Sequence, residues 1–142
     1  MKTLPKTEDS SGLLVSLVLR TDFSDDAAWE SLCAAMEARD DEFGFQAQAQ
    51  CISDRDYDGL TVEQILPLVP DGMRFLFIAD RIALADPEHP ILVVDLDDES
   101  GRTFRVIPTF MWAVENNLSL ANIDFYEMAD SADPDGILRG PS

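Results

Sequence analysis

Hydrophobic residues follow two patterns along this chain, continuous runs and helical spacings. The runs 14–19, 75–79, 91–96 and 103–107 are typical of buried strands, and residues 46–53 alternate between polar and apolar, as in a strand with one wetter face. After the first run, Ser24 is a candidate N-cap for a helix that extends to about residue 38. The apolar positions of that helix are Trp29, Leu32, Cys33 and Met36.

Further helices are predicted later in the chain. Thr61 and Gln64 form a capping box ahead of a short apolar face. After residue 108, apolar positions keep a helical spacing as far as residue 132. The pair Asn116-Asn117 interrupts this region, so we expect two helices there.

The predicted order of elements is β-α-β-α-β-β-β-α-α. Alternation of strand and helix in the first half predicts parallel crossovers, and a hairpin connection at 98–101 adds antiparallel strands. We therefore predict an α/β fold, with a mixed, mostly parallel five-stranded sheet and helices packed against it. A length of 142 residues suits a single domain, expected at 13–132, with disordered tails at 1–12 and 133–142.

The chain is strongly acidic. Ten Lys and Arg against 28 Asp and Glu give a formal charge of 10 − 28 = −18. This balance argues against direct nucleic-acid binding, which needs cations to neutralise phosphates, and against docking on anionic membranes. It favours a cationic protein partner instead.

Other features of the sequence argue for a cytoplasmic protein without a cofactor. No segment reaches the ~20 apolar residues of a membrane span, and the apolar run 13–19 is typical of a strand rather than an export signal. Cys33 and Cys51 are accordingly expected to be reduced, buried thiols. Glycine-rich phosphate loops, C-x-x-C pairs and zinc-hydrolase motifs are absent from the sequence.

Candidate site residues follow from the rule that open α/β sheets bind ligands at the carboxyl ends of their parallel strands. Arg20 and Asp22 follow the first strand, and Asp80 and Arg81 follow the third. A second group near the predicted helix break would form a pocket wall: Trp112, Glu115, Asn116 and Asn117. The competing interpretation is that these residues are ordinary caps, surface ion pairs and partners of open backbone groups.

Asp54, Asp56 and Asp58 precede Gly59 in the D-x-D-x-D-G order that opens a calcium loop. The later positions of such a loop are not matched, because Ile65 occupies the place of its bidentate acid. The calcium site is therefore one hypothesis, and a turn that leads into the helix capped by Thr61 is the other.

The segments LVLRTDF (17–23), YDGLT (57–61) and VENNLSLANIDF (114–125) resemble an uncharacterised domain family of small acidic proteins from high-GC bacteria. The resemblance covers about residues 14–132 and implies no particular activity. It fits a cytoplasmic bacterial protein and implies that these residues form a family signature: Arg20, Asp22, Glu115, Asn116, Asn117 and Asn122.

Two functional hypotheses follow. The first is a non-enzymatic binding protein of the inhibitor, immunity or regulatory type that captures a cationic protein. The alternative is a small cofactor-independent enzyme of the isomerase, cyclase or hydrolase type, with a carboxylate in a pocket at the strand ends. The pattern of residues gives neither the identity of the partner or substrate nor the oligomeric state.

Overall fold

The continuous apolar runs become neighbouring strands of one sheet. The computed structural model describes residues 3–4, 16–37, 49–70, 73–97, 99–119 and 124–140. These residues form six strands: β1 (Ser16–Arg20), β2 (Ala49–Ile52), β3 (Phe75–Ala79), β4 (Ile91–Asp95), β5 (Thr103–Val106) and β6 (Ile137–Leu138).

The strand order is β2-β1-β3-β4-β5-β6. β1 pairs in parallel with β2 and β3, β4 lies antiparallel between β3 and β5, and β5 pairs in parallel with β6. The predicted α/β fold with a mixed, mostly parallel sheet is confirmed, and the sheet has a sixth strand. We call the edge at which β1, β2 and β3 end the carboxyl edge.

Five α-helices connect the strands within the described residues: α1 (Asp26–Glu37), α2 (Val62–Ile65), α3 (Arg81–Ala85), α4 (Met111–Ser119) and α5 (Phe125–Asp130). Short 3-10 turns at 55–57, 66–68 and 108–110 join them. None of the helices in this part of the chain is long and apolar enough to cross a membrane.

The helix starts follow local capping chemistry. The predicted box is present, with Thr61 and Gln64 each accepting a hydrogen bond from the other's backbone N–H. The cap of α1 is Asp25 rather than the predicted Ser24, because the Asp25 carboxylate accepts the N–H of Ala28 at 3.0 Å. Ser24 instead donates to Asp22.

Alternate strand residues pack into two cores, one on each side of the sheet. One core joins β1, β3 and β4 to α1, α4 and α5, and includes Val18, Leu32, Phe77, Val93, Val114 and Phe125. The other is covered by the segment from 57 to 68, and includes Leu19, Tyr57, Ile65, Leu68, Leu76 and Val94. Burial of both strand faces explains why the strands read as continuous apolar runs.

Both predicted tails contain ordered residues. Residues 137–138, expected in a disordered tail, form β6, and the Arg105 N–H donates to the Gly136 carbonyl at 2.9 Å. At the other end, Leu4 is buried and its N–H donates to the Leu68 carbonyl at 2.8 Å. Three further sets of predicted residues lie outside the described ones: 1–2 and 5–12 of the first tail, 46–48 at the start of the second strand, and the signature position Asn122.

Candidate functional site

The carboxyl edge brings several of the predicted site residues together. Arg20 at the end of β1 is in register with Ala79 at the end of β3, and the Thr21 N–H donates to the Ala79 carbonyl at 3.1 Å. The residues that follow these strands, Asp22 and Asp80, therefore start from adjacent points of the sheet. The parallel pairing of β1 with β3 produces this arrangement, as the strand-end rule predicts.

Arg20 is only 3% exposed, and its guanidinium connects three segments of the chain. Nε donates to the Asp22 carbonyl at 2.8 Å, while the two terminal nitrogens donate to Ser53 Oγ at 3.3 Å and Asp26 Oδ1 at 2.7 Å. The charged group also lies over the Phe23 ring, 4.4 Å from its centroid. Arg20 thus fixes the end of β1 to the start of α1 and the end of β2.

Asp80 belongs to a second, separate ion pair. Its two oxygens accept hydrogen bonds from the Arg105 guanidinium at 3.0 and 2.7 Å, and Oδ1 also accepts the N–H of Ala83, which caps α3. Arg105 additionally donates to the Pro90 carbonyl at 2.9 Å. Asp80 therefore joins β3, α3 and β5, whereas the neighbouring Arg81 side chain is exposed.

The predicted residues on α4 differ in their burial and in their contacts. Trp112 is half-buried and packs edge-to-face against Phe110, with ring centroids 5.9 Å apart. Glu115 is buried, and Asn117 donates to the Ala113 carbonyl one turn earlier, while Asn116 is exposed. The rings on the Arg20 guanidinium are those of Phe23, in the loop after β1, and Trp29, on α1.

Two acidic loops lie side by side at the carboxyl edge. The Gly59 N–H donates to the Thr21 carbonyl at 2.8 Å, and the Arg55 guanidinium lies 5.2 Å from the centroid of the Phe23 ring, so the loops after β1 and β2 touch twice. We call their six carboxylates the acidic rim: Asp22, Asp25, Asp26, Asp54, Asp56 and Asp58. With Arg20 and Arg55 as the cations of these loops, the local formal charge is 2 − 6 = −4.

The calcium hypothesis gains no support from this geometry. Among the residues that the structure describes, no three His, Cys, Asp or Glu side chains are arranged to hold a metal ion. Asp54 instead accepts the N–H of Asp56 at 3.0 Å and caps the 3-10 turn at 55–57. For Asp54, this arrangement corresponds to the other hypothesis, in which the segment is a turn that leads into the next helix.

The comparison with protein families agrees with the resemblance seen in the three sequence segments. The family model described as a domain of unknown function, DUF6924, matches residues 15–141. The chain belongs to the DUF6924 family. No curated protein shows significant similarity to it. The matched region of this DUF6924 domain includes all six strands and both loops of the acidic rim.

A cleft of this DUF6924 domain lies away from the carboxyl edge. It is formed where β3 begins and β4 ends, and its volume of about 20 Å³ has room for roughly one water molecule. Its lining residues are Arg74, Phe75, Asp95, Asp97, Leu118, Asp124 and Phe125. None of the predicted site residues lines this cleft.

Two features of the DUF6924 domain were not identified from its sequence. Asp95 is buried and accepts the N–H groups of Asp97 and Glu99 at 2.9 Å each. Cys33 and Cys51, expected to be buried thiols, are half-buried and lie 3.0 Å apart at their sulfurs. Neither contact produces a periodic pattern in the sequence. The Asp95 bonds depend on the local turn, and the cysteine contact depends on the packing of α1 beside β2.

Proposed function

We propose that this protein is a non-enzymatic acidic binding protein, of the inhibitor, immunity or regulatory type, that captures a cationic protein partner. The observation that carries the proposal is the acidic rim, in which two loops bring six carboxylates to one edge of the sheet. Asp25, Asp26, Asp56 and Asp58 of this rim are exposed. Exposed carboxylates on adjacent loops create a concentrated negative potential that steers and orients an Arg- or Lys-rich surface.

Arginines outside the rim offset part of the negative charge of the described surface. Arg74 pairs with Asp97, Arg102 with Glu99 and Asp130, Arg105 with Asp80, and Arg139 with Glu88, Asp133 and Asp135. These four cations offset four of the seven negative charges of their partners. At the rim, the buried Arg20 pairs with the exposed Asp26. Arg20 and Arg55 together offset two of the six carboxylate charges, so the rim keeps a formal charge of −4.

The rim is also held in place before any partner arrives. Asp25 is fixed by capping α1, Asp54 by capping the 3-10 turn, and Asp22 by accepting the Ser24 hydroxyl at 2.9 Å. Carboxylates that are already positioned lose little conformational entropy on binding. A preorganised acidic edge is therefore suited to a partner with a fixed pattern of cations.

The enzyme alternative is not favoured by any described contact. A catalytic carboxylate at the strand ends needs an oxygen directed at a substrate. Asp80, the half-buried carboxylate at the end of β3, directs both oxygens to Arg105 and one of them also to the α3 cap. These contacts give Asp80 a positioning role within the fold.

The test compares two variants of equal charge. Asp25→Asn with Asp58→Asn removes two charges from the rim, and asparagine keeps the capping oxygen of residue 25. Asp124→Asn with Glu127→Gln removes two exposed charges at the start of α5, where Asp124 makes no side-chain cap bond. Each immobilised variant and the native chain is exposed to a lysate of the source organism at about 0.05 M salt, where screening is weak.

We expect a partner that the native chain and the α5 variant retain equally and the rim variant retains about 2- to 30-fold less tightly, since each exposed charge contributes roughly 0.2–1 kcal/mol. Its association should weaken further as salt is raised. An equal loss of affinity for the partner in both variants would show that net charge matters and the position of the rim does not. Retention of the partner that is unaffected by salt would contradict electrostatic capture.

A further inference from the structure

Cys33 and Cys51 lie on different elements and meet at the side of the sheet. Cys33 is in the middle of α1, and Cys51 is on β2, whose register places it opposite Val18 of β1. Their sulfur atoms are 3.0 Å apart, which is shorter than the roughly 3.5–4.0 Å of ordinary contacts between non-bonded carbon atoms. A movement of about 1 Å brings them to the covalent sulfur–sulfur distance near 2.0 Å.

Both cysteines are half-buried, whereas the adjacent Leu32 and Val18 are fully buried. The neighbouring charges are Glu37 on the same helix and Arg20 at the end of β1. When Cys33 ionises, the Cys51 S–H donates a hydrogen bond to its sulfur. This bond lowers the pKa of Cys33 and raises the pKa of Cys51. Burial and Glu37 oppose the lowering of the Cys33 pKa, and Arg20 adds a smaller lowering effect.

We propose that Cys33 and Cys51, whose sulfurs lie 3.0 Å apart, form a dithiol redox centre that a hydroperoxide oxidises to an intramolecular disulfide. With hydrogen peroxide as the oxidant, the Cys33 thiolate attacks one oxygen and the O–O bond breaks. The attacked oxygen stays on sulfur as a hydroxyl, and the other leaves as hydroxide, which takes up a proton to become water. Cys33 is thereby oxidised by two electrons to a sulfenic acid.

The second step closes the bond between the two elements. The Cys51 sulfur attacks the Cys33 sulfur, the S–O bond breaks, and the oxygen leaves as a second water that carries the Cys51 proton. The sum is two thiols and one hydroperoxide giving one disulfide and two molecules of water when the oxidant is hydrogen peroxide. An external dithiol reduces the disulfide back to two thiols by exchange and is itself oxidised to a disulfide. The disulfide would link α1 covalently to β2.

The experiment treats the full chain, folded and at micromolar concentration, with hydrogen peroxide and maps its peptides by mass spectrometry. We expect the mass to fall by about 2 Da, the loss of two hydrogens, with a Cys33–Cys51 crosslinked peptide that dithiothreitol removes. A chain that keeps both thiols, that oxidises to sulfinic acid without the crosslink, or that forms only disulfides between chains would overturn the proposal.

Two variants test the assignment of the attacking sulfur. In Cys51→Ser, the reaction should stop at a Cys33 sulfenic acid that dimedone traps, and in Cys33→Ser the remaining thiol should react at least about tenfold more slowly. Equal rates in the two variants would contradict the role given to Cys33. Thermal melts of both variants show whether they are folded, and the crosslink in the native chain does not depend on them.

Discussion

Replacement of Arg20 by methionine tests whether this residue stabilises the fold or serves only to bind a ligand. The substitution removes a side chain that is 4% exposed and that joins Asp22, Asp26 and Ser53. Methionine retains an apolar stem of similar length, so the cavity left behind is small. A purely ligand-binding arginine would be replaced with little effect on stability, whereas a structural one would not.

The expected loss in the free energy of unfolding is the sum of the contributions of the separate contacts of Arg20. The charged hydrogen bond to the Asp22 carbonyl contributes about 1.5–3 kcal/mol, and stacking on Phe23 and Trp29 about 0.5–1 kcal/mol. The pair with Asp26 adds about 0–1 kcal/mol, because the Asp26 side chain is 74% exposed and screened by water. Burial of the methionine recovers about 1 kcal/mol. The expected net loss is about 1–4 kcal/mol.

Urea denaturation followed by circular dichroism measures this loss, and Asp26→Asn is the matched control. A central loss of about 2.5 kcal/mol corresponds to a Tm lower by roughly 5–10 °C in a chain of this size. The control should cost less than about 1 kcal/mol. Native stability in Arg20→Met would refute the structural role, and an equal loss in Asp26→Asn would show that the ion pair dominates over the bond to Asp22.

Three further predictions concern other carboxylates. Asp95→Asn should destabilise the protein by about 1–3 kcal/mol in chemical denaturation, because an amide has only one oxygen to replace the two that accept from Asp97 and Glu99. The control Asp97→Asn removes an exposed ion pair, so its free energy of unfolding should stay within about 0.5 kcal/mol of the native value. Arg139 lowers the pKa of Glu88 and Asp135 below their ordinary values of 4.5 and 3.8. The native chain should therefore exceed Arg139→Gln in stability above those values and lose that advantage as pH falls through the lowered pKa values, as pH-dependent melts would show. Calcium and chelator should leave Tm unchanged, and a rise of Tm with calcium would restore the hypothesis of a metal loop at 54–58.

The fold was predictable wherever a single element carries its own pattern. The run 75–79 matches β3 at both ends, and α1 buries Trp29, Leu32 and Met36 as its spacing predicted. β6 has only two residues in a segment rich in glycine and proline, so it has no periodicity to detect. α3 is only five residues long, and the signal that marks it is the Asp80 cap rather than an apolar stripe.

The site was predictable only as far as strand direction determines it. Parallel pairing places Arg20 and Asp80 at one edge, but their partners lie elsewhere in the sequence. Asp80 pairs with Arg105, 25 residues away, because β5 lies beside β4 in the sheet. The Cys33–Cys51 contact spans 18 residues and depends on α1 packing beside β2. Contacts of this kind require strand order, which composition and periodicity do not specify.

The arginines connect the stability of this protein to the charge that it presents. Arg20, Arg105 and Arg139 each bind two or more groups, and they join elements that are distant in sequence. The positive charge of these three side chains is taken up by hydrogen bonds and ion pairs within the chain. At about 0.15 M salt, charges interact over roughly 8 Å, so neighbouring carboxylates on adjacent loops act together on an approaching cation while distant ones do not. The internal use of arginine and the pairing of two acidic loops by the Gly59–Thr21 hydrogen bond are therefore both needed for the rim to act as one negative surface.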